Sequence, residues 1–229
     1  MVNRATVALV GSETLLGREI RDIVSTSVPG LSLRLIAADE GHAGKLTRVG
    51  DEPSVVTHLE AANLIGAQAV FLAGTPESSN KALEFAGDSV PVIDLTFTAD
   101  EHPHARLRAP LVETEREEGG TEIQVIAHPA AIALALFLRR LQMHDAVRRS
   151  VIQIFAPASE QGSAGLEELQ QQTVNLLSFK PLPHAIFDTQ LSFNMLSRYG
   201  EEAHTALEQT ELRIERHLAS LLALPGEGE

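Results

Sequence analysis

A parallel, doubly wound α/β sheet is the fold predicted for the first half of this chain, and three observations predict it. Short apolar runs alternate with segments of helical spacing. The runs are continuously apolar, as in strands covered on both faces. Two of them end in glycine-bearing turns, at Gly11 and at Gly74. Such alternation calls for right-handed crossovers, which lay helices over both faces of the sheet.

The elements follow in order. Residues 5–10 (Ala-Thr-Val-Ala-Leu-Val) are the first strand, closed by Gly11. Residues 14–26 carry Leu15, Leu16, Ile20, Ile23 and Val24 at helical spacing. Residues 31–38 read as a second strand and residues 69–73 as a third, the latter running into Gly74-Thr75-Pro76. A helix over 77–87 and a strand over 90–94 complete the pattern. Residues 97–121 are polar and irregular, with a turn at Gly119-Gly120, and read as an exposed excursion. A strand over 122–127 leads through Pro129 into a helix ending near Leu141, proline being tolerated in a first helical turn.

Farther along, residues 150–156 read as a strand and residues 163–178 as a helix with Leu166, Leu169, Thr173, Leu176 and Leu177 on one face. A second extended segment is expected around Leu191–Met195. Residues 201–223 form the cleanest amphipathic helix, with Ala203, Leu207, Thr210, Ile214, Leu218, Leu221 and Leu222 at 3–4 spacing and Pro225-Gly226 as its stop. The expected division is a first domain over 1–128 and a second over 129–229.

Composition bounds the function. The chain has 229 residues, 44% of them hydrophobic, which is globular composition. Its net charge of −13 repels phosphate backbones, so nucleic acid is not expected as a partner. No apolar run reaches the ~20 residues that span a bilayer, and no signal peptide is read at Met1-Val2-Asn3-Arg4, so the expected location is the cytoplasm, away from membranes. Aromatic residues make up only 4%, too few for stacking platforms. There is no cysteine.

The turn Gly11-Ser12-Glu13-Thr14-Leu15-Leu16-Gly17 has the glycines of a dinucleotide loop at its ends, and Thr14 in the middle. Glycines at a strand–helix turn let backbone amides approach a pyrophosphate. They also serve a tight turn needed only for packing, and both readings stand. A β-branched Thr14 is expected to intrude on the phosphates, and Glu13 to repel them. Asp39 follows the second strand at the distance where an acid accepts from a ribose diol, so NAD is an electrostatically easier ligand here than NADP. The candidate cofactor-binding residues are Gly11, Glu13, Thr14, Leu15, Gly17, Asp39, Gly74 and Thr75. His102 and His104 lie on an expected loop and lack the converging ligands a metal needs, so no metal site is expected. Ser159 has no nucleophile elbow around it. His128 reads as a hydrogen-bonded interior histidine.

The segment Val125-Ile126-Ala127-His128-Pro129-Ala130-Ala131-Ile132-Ala133, taken with the glycine loop, resembles the strand-to-helix junction of the aspartate-semialdehyde dehydrogenase family. That family has Ile-Ala-Asn-Pro-Asn-Cys-Ser-Thr there, and its Cys is the nucleophile. Ala43-Gly44-Lys45 matches the family's Ala-Gly-Lys and puts Gly41 where an Arg pairs with the 2′-phosphate of NADP. Ser159 through Leu177 resembles the family's Ser-Gly-x-Gly-x-x-Gly-x-Glu-Glu-Leu-x-x-Gln-Thr, and is more similar still to the catalytically silent Usg-1-like branch. Phe193-Asn194 echoes the family's Ala-Phe-Asn.

The resemblance implies a Rossmann-like first domain and a second, truncated α/β (α+β) dimerisation domain. It puts Ala131 at the nucleophile, Ala130 at the preceding Asn and Ala156 at a substrate-orienting Gln. Asp94 and Thr96 survive from a phosphate-binding stretch. The sequence stops at Glu229, short of the third that carries the family's catalytic His and carboxylate-binding Arg. The implied protein is a non-catalytic homologue of an amino-acid biosynthetic dehydrogenase, a pseudoenzyme forming a homodimer through residues 150–223. Two alternatives accompany it. One is an NAD(P)-dependent semialdehyde dehydrogenase with altered chemistry, or one completed by a paralogous full-length subunit. The other is an NAD(H)-binding sensor.

Overall fold

The computed structural model describes residues 5–87, 89–113 and 123–223. The chain divides into two compact units, Met1–Ala127 and His128–Glu229.

The first unit is built on strands β1 (Ala5–Val10), β2 (Leu31–Ile36), β5 (Ala69–Leu72), β6 (Val92–Asp94), β7 (Ala105–Arg108) and β8 (Ile123–Ile126). They form one six-stranded sheet in the order β2-β1-β5-β6-β8-β7, and every pairing is parallel. Helix α1 (Leu15–Ser27) connects β1 to β2, and α3 (Pro76–Ala86) connects β5 to β6. The hairpin β3 (Leu46–Val49) and β4 (Glu52–Val55), with the single turn α2 (Ala61–Leu64), fills the path from β2 to β5.

Both faces of the sheet are covered, as the unbroken apolar strands predict. Ala8, Val10, Val70, Leu72 and Val92 pack with Ala82 and Ala86 of α3 on one side. Leu9 and Leu35 pack with Ala37, Val56 and Ala73 on the other, where Ile20 of α1 joins them. Successive residues of β1 thus serve opposite faces, as the strand's two-residue period requires. Arg21 of α1 ties the hairpin down through Thr47 Oγ1 and the Arg48 carbonyl.

Two parts of this unit depart from expectation. The 97–121 stretch is not simply an exposed excursion. It contains edge strand β7, and Ala99, Ala109 and Val112 within it are buried. Glu113 holds the end of β7, accepting from Ala109 N–H at 2.8 Å and pairing with Arg108 at 2.8 Å. The Gly119-Gly120 turn lies outside the described residues. The hairpin β3–β4 was not expected either.

The second unit carries helices α4 (Pro129–Gln142), α5 (Gly162–Leu177) and α6 (Leu207–Ala223). Among its described residues there is no strand. The strand expected over 150–156 is irregular, and Val151 (87% exposed) and Phe155 (70%) face solvent. Alternating residues do not make a strand without a neighbouring chain to complete the hydrogen-bond ladder. The extended segment expected near Leu191–Met195 is instead turned, with Phe193 at φ 57° and Asn194 N–H bonded to the Leu191 carbonyl at 3.0 Å.

Helix α4 buries Ala131, Ala135 and Leu138, and α6 packs on it through the face that carries Ile214, His217 and Leu221. Arg139 fastens the pair by donating to the Leu221 carbonyl at 2.7 Å. Helix α6 begins six residues later than expected. The preceding stretch bonds instead to the 186–188 backbone: Gly200 N–H reaches the Phe187 carbonyl and His204 N–H the Ile186 carbonyl. Glu202 N–H reaches Asp188 Oδ2 at 3.0 Å. The stop expected at Pro225-Gly226 lies outside the described residues.

The buried face of α5 is a correction to the leucine stripe. Leu166 and Leu177 are exposed, while Gly165, Glu168 and Gln172 are buried. The reason is a polar brace. Gln172 Nε2 donates to the Pro183 and Thr189 carbonyls at 2.8 and 2.9 Å, and its Oε1 accepts from Leu191 and Ser192 N–H at 2.8 and 3.1 Å. Glu168 accepts from Ile186 and Phe187 N–H at 2.6 and 3.3 Å. Two side chains therefore satisfy six backbone groups of a segment that has no ladder of its own. Phe187, fully buried, sits in the space that Gly165 leaves and meets Tyr199 edge-on at 5.2 Å. Replacing Gln172 with Leu keeps the volume and leaves four backbone groups, one buried and three partly buried, without this partner, at about 1–3 kcal/mol for a fully buried one. The expected outcome is a loss of about 3 kcal/mol or more, read as a lowered urea midpoint.

Candidate functional site

In the first unit the sheet order reverses between β1 and β5, which places a crevice beyond the carboxyl ends of these strands, where ligands of open α/β sheets bind. The turn after β1 and the turn after β5 meet there. A Cβ on Gly11, whose φ is +83°, would lie 2.3 Å from Gly74 Cα. A Cβ on Gly17 would lie 2.0 Å from the Gly11 carbonyl oxygen. The chain's own packing thus requires both glycines of the loop, which answers the packing reading of the motif without a ligand.

The Thr14 hydroxyl does not point freely from the loop. Its Oγ1 caps α1 by accepting from Gly17 N–H at 3.0 Å, and lies 2.9 and 2.7 Å from the Gly11 and Ala73 carbonyls, to which it donates. Leu15 is half-buried behind it. Glu13 does not hang beside the loop either. Its Oε1 accepts from Ala38 N–H at 2.7 Å and from Asp39 N–H at 3.1 Å, the two amides that leave β2. Its Oε2 is buried and has no hydrogen-bond partner among the described residues. Asp39, expected to read a ribose, spends Oδ1 on Gly41 N–H at 2.9 Å, capping the short 3₁₀ turn Glu40–His42.

Beside these groups lies a cavity of about 530 Å³. Ala38, Asp39, Glu40, Thr75 and Ser78 line it, together with His58, Glu60, Glu77 and Lys81. Thr75 and Ser78 form a capping box at the start of α3. The volume suits a cofactor-sized molecule, and four carboxylates against one lysine make the wall acidic. The structure therefore brings Gly11, Glu13, Thr14, Gly17, Asp39, Gly74 and Thr75 to one edge of the sheet. Glu60, Glu77 and Lys81 were missed, because they join this edge only through the paths of α2 and α3.

Asp94 is fully buried and accepts from Thr96 N–H and Oγ1 at 2.7 Å and from Ala99 N–H at 2.7 Å, so both its oxygens shape a turn. His102 and His104 are exposed, with ring centroids 5.8 Å apart. Among the described residues no three His, Cys, Asp or Glu side chains converge in a metal-binding group.

In the second unit Ala131 is fully buried in the first turn of α4, and Ala156 is exposed in the irregular segment. His128 is buried, as expected of an interior histidine, and caps α4 by accepting from Ala130 N–H at its Nδ1, 3.2 Å away. Its own N–H donates to Nδ1 of buried His217 at 3.0 Å. Its Nε2 lies 3.7 Å from Glu160 Oε2. Sequence reasoning missed His217, which falls on the apolar face of α6, and Glu160. The clue was a histidine at the 3–4 spacing of that face.

Hydrogen bonding to His128 holds the Glu160 carboxyl below its ordinary value, against the raising effect of its partial burial. Burial pushes the Tyr199 hydroxyl up. A carboxyl depressed in the folded state adds stability above its unfolded value and loses it as pH falls through the folded one. Glu160→Gln is therefore expected to flatten the acid limb of stability as pH falls through the ordinary carboxylate range and below it, measured as urea midpoint against pH.

No family model matches the chain. Among curated proteins, the aspartate-semialdehyde dehydrogenase of Rickettsia bellii (strain RML369-C) is 23% identical over 230 residues, covering 97% of this chain and 67% of the relative. The USG-1 protein homolog of Azotobacter vinelandii is 28% identical over 210 residues, covering 89% and 62%. The aspartate-semialdehyde dehydrogenase of Aquifex aeolicus (strain VF5) is 28% identical over 214 residues, covering 90% and 63%. The chain thus spans about two thirds of the length of these relatives. A probable aspartate-semialdehyde dehydrogenase from Pseudomonas aeruginosa superposes with a TM-score of 0.74 at 24% identity, covering 96% of this chain and 66% of that one. Aspartate semialdehyde dehydrogenase II of Vibrio cholerae, in complex with ASA, gives 0.75 at 19% with the same coverage. Over most of its length this chain is similar to proteins named aspartate-semialdehyde dehydrogenase and to USG-1 protein homologs, and it shares a Rossmann-like α/β fold with solved structures of the former.

Proposed function

We infer that this protein works by binding and not by acyl transfer, as a non-catalytic relative of the semialdehyde dehydrogenases. The observation that carries the reading is chemical. The resemblance sets at the position of the nucleophilic thiol Ala131, a methyl group buried in the first turn of α4, and the chain contains no cysteine that would replace it. Covalent catalysis of this kind requires a thiolate to attack the aldehyde and carry the acyl group. Ala156, exposed and without a polar side chain, supplies no substrate-orienting group in place of the aligned Gln. The test is absorbance at the nicotinamide band with aspartate semialdehyde, phosphate and NAD or NADP. The expected result is no reduction above the protein-free rate. Phosphate-dependent reduction by this chain alone would overturn the reading.

The second unit is the surface through which the protein works, as a homodimer in the cytoplasm. Helix α6 spends its apolar face on α4, so the interface falls on side chains left outside: Val151, Phe155, Phe179, Phe193 and Met195, all at least 70% exposed. Large apolar side chains left open to water favour association. Sedimentation at micromolar concentration is expected to give a dimer. A stable monomer would sink this part, and a shift only on adding a full-length paralogue would replace it with a mixed assembly.

A second reading, retention of NAD(H) without turnover, is favoured by the cavity at the ends of β2 and β5. Its volume is of cofactor size and its wall carries polar side chains able to hydrogen-bond. When bound, such a group would be held by this edge of the sheet, with Thr75 and Ser78 at its wall.

A further inference from the structure

We propose that Glu13 is a built-in anion that occupies two backbone N–H donors just beyond the end of β2 and so makes this cleft reject ligands phosphorylated at their ribose edge. The proposal rests on the retained-binding reading for its ligand, and on geometry for its mechanism. Ala38 and Asp39 follow β2 directly and form part of the cavity wall. Their N–H groups converge on one point, and that point is filled by Glu13 Oε1 at 2.7 and 3.1 Å. Two adjacent backbone donors aimed at a single position form a small anion seat. Here the chain itself supplies the anion.

The carboxylate sits in this seat with only one oxygen satisfied. Glu13 Oε2 is buried with no donor among the described residues. A buried, unpaired carboxylate oxygen is a costly arrangement that structures seldom retain. An arriving phosphate finds its donors taken and meets like charge from Glu13, Asp39 and Glu40 together. An uncharged ribose diol meets no such repulsion. Asp39, which the strand-end position suggests as the reader of the ribose, is committed to Gly41 N–H. Asp39 and Glu40 add like charge, and Glu13, which reaches over from the turn after β1, alone blocks the two donors.

The test compares the intact chain with Glu13→Ala and Glu13→Gln. Inorganic phosphate is titrated first, observing the ¹⁵N amide signals of Ala38 and Asp39. These signals are expected to stay fixed in the parent and to move saturably in Glu13→Ala. NADH and NADPH are then titrated by fluorescence. Removing the carboxylate is expected to raise NADPH affinity by about tenfold or more and to change NADH affinity less. Glu13→Gln keeps the shape while removing the charge, so it covers the case in which the alanine variant fails to fold, and it should shift the NADPH to NADH preference the same way by a smaller factor. Phosphate moving both amides equally in parent and variants, or in none of them, overturns the proposal. Failure of both dinucleotides to bind, with the phosphate result intact, removes the dinucleotide reading and leaves the role of Glu13 standing.

Discussion

The first unit depends on one close approach. The turn that leaves β1 and the turn that leaves β5 touch through Gly11 and Gly74; a side chain on Gly11 would drive the two turns apart, and one on Gly74 would strike Ser78 and Ala38. Strands β1 and β5 are neighbours in a parallel sheet whose connections run away in opposite directions from this line. The contact fixes the start of α1, because Gly17 lies against the Gly11 carbonyl and Thr14 bonds back to Ala73. It also fixes what surrounds the crevice, since Glu13 is carried by the same turn onto the amides of β2. The glycines of this motif meet packing needs of the chain itself, and the Thr14 and Glu13 side chains bond internally. Residues of α3 and of the β2 end line the cavity beside it.

The second unit solves a different problem. Its segment from Pro183 to Ser192 has no regular structure, yet Phe187 and Ser192 within it are fully buried. Burial without a ladder leaves backbone groups in need of partners. Gln172 and Glu168 meet that need from one face of α5. This explains why a helix that reads as leucine-rich buries its polar residues and exposes Leu166 and Leu177.

The sheet was legible because its strands are continuous apolar runs between glycine turns, and that pattern survives without tertiary information. The hairpin β3–β4 was not read, although Gly50-Asp51 is a two-residue loop between its strands; Leu46 and Val55 are exposed, so the apolar alternation had no buried side to announce it. Strand β7, Ala-Arg-Leu-Arg, carries the charges of a sheet edge and resembles a loop in composition. At the crevice the glycines and Thr75 were legible from local turn chemistry. The roles of Glu13 and Asp39 were not, because each is set by which amide it meets, and Glu13 meets one 25 residues away in sequence. The strand expected at 150–156 failed for the opposite reason: the local pattern was present and the neighbour was not.

The imidazoles of His128 and His217 are each pinned at one nitrogen. Each takes a main-chain N–H at Nδ1, so each ring proton resides on Nε2 and the tautomers are dictated by the backbone. The His128 N–H joins the cap of α4 to the buried face of α6, and the His128 side chain closes the opening turn of α4 in the same few atoms. One residue thus sets both where α4 begins and where α6 lies against it, so the two helices share a single hinge pin.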